Sequence, residues 1–325
     1  MHSGKRGIIR RINSLIKEKE ISCKELTNKY IGEIEKSDLN AYVTVCKEEA
    51  LKAAEKVDKK VKSGEKIGIL EGVPMTLKDL ISTKGIETTC CSKILKGYKP
   101  IYNASAWEAL QNKGAVLLGK TNMDEFAMGS SGENSCMGRA KNPHNKSCVT
   151  GGSSSGGAAA VAGNLAAYAL GSDTGGSVRQ PASFCGIVGL KPTYGRVSRY
   201  GLIAYASSFD QIGPIAQTAE DASIIFDAIC GYDPKDSTSV KINEAPTFDN
   251  INNDIKGLKI GIPNEYYDGV NEEVKASIEK AMKVYESLGA EIEYFNLPEV
   301  KYSLSVYYIL VCAEAASNLA RFDGV

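Results

Sequence analysis

The chain has 325 residues, 43% of them hydrophobic, and its 39 Lys and Arg balance 39 Asp and Glu. That length and composition suit one large α/β domain or two smaller ones around a sizeable core. A net charge of zero excludes binding to nucleic acid or a membrane surface through bulk electrostatics, so any such partner has to be met locally or through another protein chain.

Ile8, Ile9, Ile12, Leu15 and Ile16 recur at helical spacing and predict an amphipathic first helix. Arg10, Arg11 and Asn13 interrupt them, and no apolar run approaches the ~20 residues of a membrane span. Ser22-Cys23-Lys24-Glu25 fits a capping box and starts a second helix through about Glu35. Glu48 to Lys62 predicts a third helix, solvated on one face, with Gly64 placed to end it. From Ile67 the pattern changes to short apolar strands, helices and glycine turns. Strands are expected at Ala115–Leu118 and Gly186–Leu190, and a buried small-residue helix plus strand over Ala158–Leu170. Tyr232 to Gly257 is polar and reads as a surface crossing. Beyond it a strand (Leu258–Pro263), a helix (Glu272–Leu288), a strand (Ala290–Leu297) and a helix (Ser303–Arg321) follow. Such alternation argues for an α/β fold with a mostly parallel or mixed sheet. Nine cysteines are scattered singly apart from Cys90-Cys91, without C-x-x-C or a Cys/His cluster. With no secretory segment, this argues against zinc and for a reducing cytosol, so a soluble cytoplasmic protein is expected.

Between Ser147 and Leu190 the only charged side chains are Asp173 and Arg179. The same stretch holds two glycine–serine clusters, Gly151 to Gly157 and Gly171 to Ser177. Flexible Gly/Ser linkers carry no such apolar flanks, so these read as buried loops that gather backbone N–H groups and hydroxyls. That combination suggests acyl transfer, with Thr174-Gly175-Gly176 forming an anion nest. The base is less obvious. His2 sits at the terminus and His144 in a turn, so histidine is disfavoured. A buried lysine can serve, because desolvation disfavours the ammonium form. Lys78, at the end of the apolar segment from Gly72 to Ile81, is one candidate, and Lys191 is its rival. Gly114 to Thr121 matches a phosphate-loop pattern literally, but an apolar strand lies where the loop should be.

The two clusters, with Lys78 set 75 residues before Ser153 and Ser177 another 24 beyond, resemble the amidase signature family. The resemblance implies an α/β amidase-signature fold, a mixed central sheet covered by helices on both faces, as one domain over residues 1–325 with the helices of residues 8–62 packed on the core. It implies Ser177 as nucleophile, Ser153 on a cis peptide as bridge and Lys78 as base. Thr174, Gly175 and Gly176 would form the oxyanion hole, with Asp173 and Arg179 supporting the turns. The segments Thr121–Gly129, Gly195–Gly201, Ser207–Pro214 and Asn318–Gly324 resemble the branch that hydrolyses glutamine for a tRNA-dependent amidotransferase. For that branch Met128, Gly129, Ser130 and Tyr308 are expected to line the glutamine pocket. The chain itself is expected to need no cofactor or metal. Its implied partners are a B subunit, which activates Glu-tRNA(Gln) with ATP and magnesium, and a C subunit. Members of the family continue past the Arg321-Phe322-Asp323-Gly324 segment. The expected continuation completes the sheet and supplies an arginine and an aspartate for the α-groups of glutamine.

Overall fold

The computed structural model describes residues 7–242 and 246–322. His2 lies outside them. Three helices open the chain: α1 (Ile8–Lys17), α2 (Cys23–Lys36) and α3 (Lys47–Ser63). The capping box that starts α2 is formed, with the Ser22 hydroxyl accepting from the Glu25 N–H and the Glu25 carboxylate accepting from Ser22. α1 lacks a cap of its own. The Ile8 and Ile9 N–H groups donate instead to the Asp221 carboxylate at 3.1 and 3.0 Å, more than two hundred residues away. Ile9, Ile12 and Ile16 of α1 and Cys23, Leu26, Ile31 and Ile34 of α2 enter the main core.

That sheet has six strands in the order β1-β3-β2-β4-β6-β5. They are β1 (Tyr42–Val45), β2 (Pro74–Lys78), β3 (Val116–Thr121), β4 (Tyr168–Asp173), β5 (Val188–Gly189) and β6 (Gln211–Ala216). β2 runs parallel to β3 and β4, while β1, β5 and β6 pair antiparallel. Every residue of β2, β3, β4 and β6 is buried, which is what strands covered on both faces require. The helices α4 (Ser105–Asn112), α5 (Ser155–Ala162), α6 (Arg179–Phe184) and α7 (Ala219–Ile229) fill the connections. β2 lies between β3 on one side and β4 on the other, so the strand order reverses around it. Ligands in α/β sheets bind outside the carboxyl ends of strands at such a switch point, and Lys78 is the last residue of β2.

The packing divides the chain into two compact units. One comprises residues up to Phe248 together with those from Glu314, and the other is Asp249–Ala313. The division falls inside the polar segment Tyr232–Gly257. After a short helix, α8 (Thr247–Asn250), the second unit carries β7 (Lys259–Pro263) paired in parallel with β8 (Glu291–Phe295), α9 (Glu272–Ser287) and the start of α10 (Val300–Leu319). No helix among the described residues is long and apolar enough to cross a membrane.

Candidate active site

β2 delivers Lys78 in full burial, at 0% exposure. Its Nζ donates to Ser153 Oγ at 2.6 Å and to Ser172 Oγ at 2.9 Å, with the Ser172 carbonyl at 3.4 Å. The register explains the meeting. Leu77 pairs with Leu170 on the parallel strand β4, so Lys78 and the Gly171–Asp173 end of β4 leave the sheet side by side. Ser153 lies on the turn entering α5, after a cis peptide bond from Gly152. Burial pushes the Lys78 ammonium down from 10.5 to about 8, against the opposing pull of Asp124, Asp173 and Asp210. A lysine so placed is neutral in a large fraction of molecules near pH 8.

Ser177 follows β4 on the second turn and is half-buried. Its carbonyl accepts the Ser154 N–H at 3.1 Å, which locks the backbone of the two serine turns together. Asp173 organises this turn. Its buried carboxylate takes a two-pronged ion pair from Arg179, with Nε to Oδ2 at 3.0 Å and the NH2 nitrogen to Oδ1 at 2.9 Å. It also accepts the Gly176 N–H at 2.8 Å and the Val178 N–H at 3.1 Å. Burial pushes the Asp173 carboxyl up, but Arg179 and these N–H groups outweigh it and hold it below its ordinary value.

One expectation about this turn changes as a result. The Gly176 N–H is taken by Asp173 and is not open to an oxyanion. Among the described residues, no hydrogen bond takes up the N–H of Thr174, Gly175 or Ser177. The Thr174 hydroxyl donates to Asp210 Oδ1 at 2.6 Å, which fixes the start of the turn. Asp210 in turn accepts from the N–H groups of Tyr205 and Ala206, at 2.8 and 3.1 Å.

The other candidates separate clearly. Lys191 Nζ donates to the Pro192 carbonyl at 2.5 Å. His144 is exposed, with Nε2 2.8 Å from the Cys185 carbonyl oxygen. In the phosphate-loop match, Val116–Thr121 is strand β3. Its Lys120 is fully buried, donating to the Ile81 carbonyl at 2.7 Å and to Thr88 Oγ1 at 2.8 Å. Met128, Gly129 and Ser130 lie on a loop that Asp124 holds beside the Ser153 turn: the Asp124 N–H donates to the Ser153 carbonyl at 3.2 Å. Tyr308 belongs to the second unit, where it is 56% exposed and packs edge-on against Tyr307.

Sequence reasoning passed over Ser172, Asp124 and Asp210. Ser172 sits in the second glycine–serine cluster, within the carboxyl end of β4 that runs parallel beside the Lys78 strand. The two aspartates lie in polar-looking motifs whose burial only the fold reveals.

A mixed sheet that presents a buried lysine to serine-bearing turns is an α/β architecture built like the serine–lysine hydrolases. The amidase family model matches residues 25–325, and the chain belongs to that family. It is similar to the A subunit of glutamyl-tRNA(Gln) amidotransferase of Carboxydothermus hydrogenoformans, 57% identical over 317 residues, which make up 97% of this chain and 65% of that protein. Among solved structures it is similar to the A subunit of glutamyl-tRNA(Gln) amidotransferase from Thermotoga maritima, with 40% identity and a TM-score of 0.84 over 96% of this chain and 66% of that one. It is also similar to peptide amidase from Stenotrophomonas maltophilia, with 31% identity and a TM-score of 0.89 over 99% of this chain and 68% of that one. The chain thus spans about 65% of the length of the first curated relative it matches.

Proposed function

We propose that this chain is the glutamine-hydrolysing A subunit of a Glu-tRNA(Gln) amidotransferase, a cytoplasmic carbon–nitrogen ligase that uses glutamine as amido donor. The observation that carries the reading is the 2.6 Å contact between the buried Lys78 Nζ and Ser153 Oγ, on a turn whose backbone is bonded to that of Ser177. In the proposed reaction, neutral Lys78 takes a proton from Ser153, which takes one from Ser177. Ser177 Oγ then forms a bond to the side-chain carbonyl carbon of glutamine. The N–H groups of Thr174, Gly175 and Ser177 receive the negative charge that develops on oxygen. One donor of this kind is worth about 3 kcal/mol of barrier. When the carbon–nitrogen bond breaks, the same relay returns the proton to the leaving ammonia. Water then hydrolyses the ester to glutamate.

The 57% identity to an amidotransferase A subunit supports glutamine and the B and C partner subunits over a stand-alone amidase. On this reading the B subunit uses ATP and magnesium and handles Glu-tRNA(Gln), while this chain requires no cofactor. Met128, Gly129 and Ser130 form one wall of the glutamine pocket. The test is release of ammonia from glutamine by the chain together with its B and C subunits. The parent should release ammonia and Ser177→Ala should not. Full activity in Ser177→Ala removes the nucleophile, and activity confined to other small amides without partners favours the peptide-amidase type of function.

A further inference from the structure

Asp124 is buried beside the turn that carries Ser153, and among the described residues its side chain makes no hydrogen bond to Lys78, Ser153 or Ser177. Its main-chain N–H donates to the Ser153 carbonyl at 3.2 Å. Its carboxylate accepts the Gly132 N–H at 3.1 Å and the Asn134 N–H at 3.0 Å. Asn134 Nδ2 closes the loop on itself by donating to the Met128 carbonyl at 3.1 Å. The carboxylate is pressed between two glycines. A methyl group built on Gly152 would sit 2.0 Å from Asp124 Oδ2, and one built on Gly129 would sit 2.1 Å from Asp124 Cγ. No side chain fits at either position, so the loop, the carboxylate and the cis-peptide turn stack in contact.

We propose that Asp124 is a positioning residue that latches the Met128–Asn134 loop to the turn carrying Ser153, so that the wall of the acyl pocket and the bridging serine move as one piece. This rests on the reading of Lys78, Ser153 and Ser177 given above. One acidic residue holds two segments that are neighbours only in space, with its N–H on one and its carboxylate on the other. The charge has a second consequence. Lys78 is faced by the carboxylates of Asp124, Asp173 and Asp210 and by the Cys90 thiol, and Asp124 is the strongest of these in holding the proton on the lysine. Loss of its charge therefore makes Lys78 easier to deprotonate.

The test uses phosphonylation of Ser177 by a biotinylated fluorophosphonate. Ser177 Oγ bonds to phosphorus, fluoride leaves, and the hydroxyl proton passes to Lys78. Three variants are compared with the parent across pH. Asp124→Asn keeps the shape but turns an amide N–H toward one of the two backbone donors, so one latch bond is lost. Its labelling rate should fall between about tenfold and a hundredfold, the range expected for a misplacement near 1 Å. The pH at half-maximal labelling should move down, and the Gly132 and Asn134 amides should exchange hydrogen faster. Gly129→Ala pushes the loop off the carboxylate while keeping the charge. It should show the lower rate with an unmoved midpoint, and it decides the question if Asp124→Asn fails to fold. Parent-like rates in Gly129→Ala, or a parent-like rate and midpoint in Asp124→Asn, overturn the proposal. Labelling that persists in Ser177→Ala points instead to a wrong nucleophile, which separates failure of the underlying reading from failure of the latch.

Discussion

Lys78→Met should abolish activity while changing stability in a way that depends on pH. The shift of the Lys78 ammonium from 10.5 to about 8 corresponds to about 3 kcal/mol of penalty on the charged form in the folded state. Below pH 8 both folded and unfolded chains carry the proton, and the folded state bears the whole penalty. Between pH 8 and 10.5 the folded state gives up the proton while the unfolded chain keeps it, so stability rises with pH. Methionine has nearly the same length and no proton to lose. Subtracting the variant from the parent cancels every other titrating group. The parent should therefore gain about 2 kcal/mol on the variant between pH 7 and pH 9.5. At pH 7 the relief of the buried charge is offset by two stranded partners, Ser153 Oγ and Ser172 Oγ, at about 1 kcal/mol each. Urea unfolding of both proteins at the two pH values measures the difference. A gap that stays constant with pH refutes a depressed lysine at this position, whatever the activity of the variant.

Three further outcomes follow from the same geometry. Arg179→Met strips Asp173 of its two-pronged partner; because the Arg179 side chain is 52% exposed, the expected loss is about 1–3 kcal/mol by thermal unfolding, with fluorophosphonate labelling of Ser177 falling alongside. Tyr168 is fully buried and its hydroxyl has no partner among the described residues, so Tyr168→Phe should raise stability by about 1 kcal/mol in urea unfolding without touching the labelling rate. Ser22→Ala removes the capping box of α2 and should lower stability by about 1 kcal/mol, again with labelling unchanged.

What could be read in the sequence was what is local. The Ser22 capping box, the helical spacing in α1 and the strand–helix–strand–helix run after Leu258 each need only a dozen residues of context. The glycine–serine clusters stood out because charge is missing around them. β1 and β6 were not legible, for different reasons. β1 is only four residues long, and Gly213 and Pro214 make β6 look like a turn. Its strand conformation comes from pairing with β4, some forty residues back. The Gly176 N–H shows a finer limit. Its spacing suits an anion nest, but the carboxylate three residues earlier reaches it first. The acidic residues of the site were hidden for a related reason, since Asp124 and Asp210 acquire their roles only from segments that folding brings beside them.

Those carboxylates give the site its electrostatic character. Each holds a different piece of the site: Asp173 the turn of Ser177, Asp210 the Thr174 hydroxyl and the Tyr205 and Ala206 N–H groups, and Asp124 the Gly132 and Asn134 N–H groups of the loop. All three also pull the Lys78 proton toward the lysine, against a burial that drives it away. Shape and basicity are therefore set by the same side chains. If burial acted alone, the lysine would lose its proton more readily and return it less effectively to a leaving ammonia. With three uncompensated carboxylates it would stay charged and could not accept the serine proton. Arg179 resolves part of this conflict by neutralising Asp173 at the exposed edge of the site, and among the described residues no ion pair within 4.0 Å does the same for Asp124 or Asp210. Burial raises both of those carboxyls, so as pH falls their protonation weakens the hold on the Lys78 proton while the loop and the turn lose charge-assisted bonds. The acid side of the pH profile should accordingly fall in two stages: first the protonation of Lys78 near pH 8, then, at lower pH, a loss of geometry that no change in substrate concentration restores.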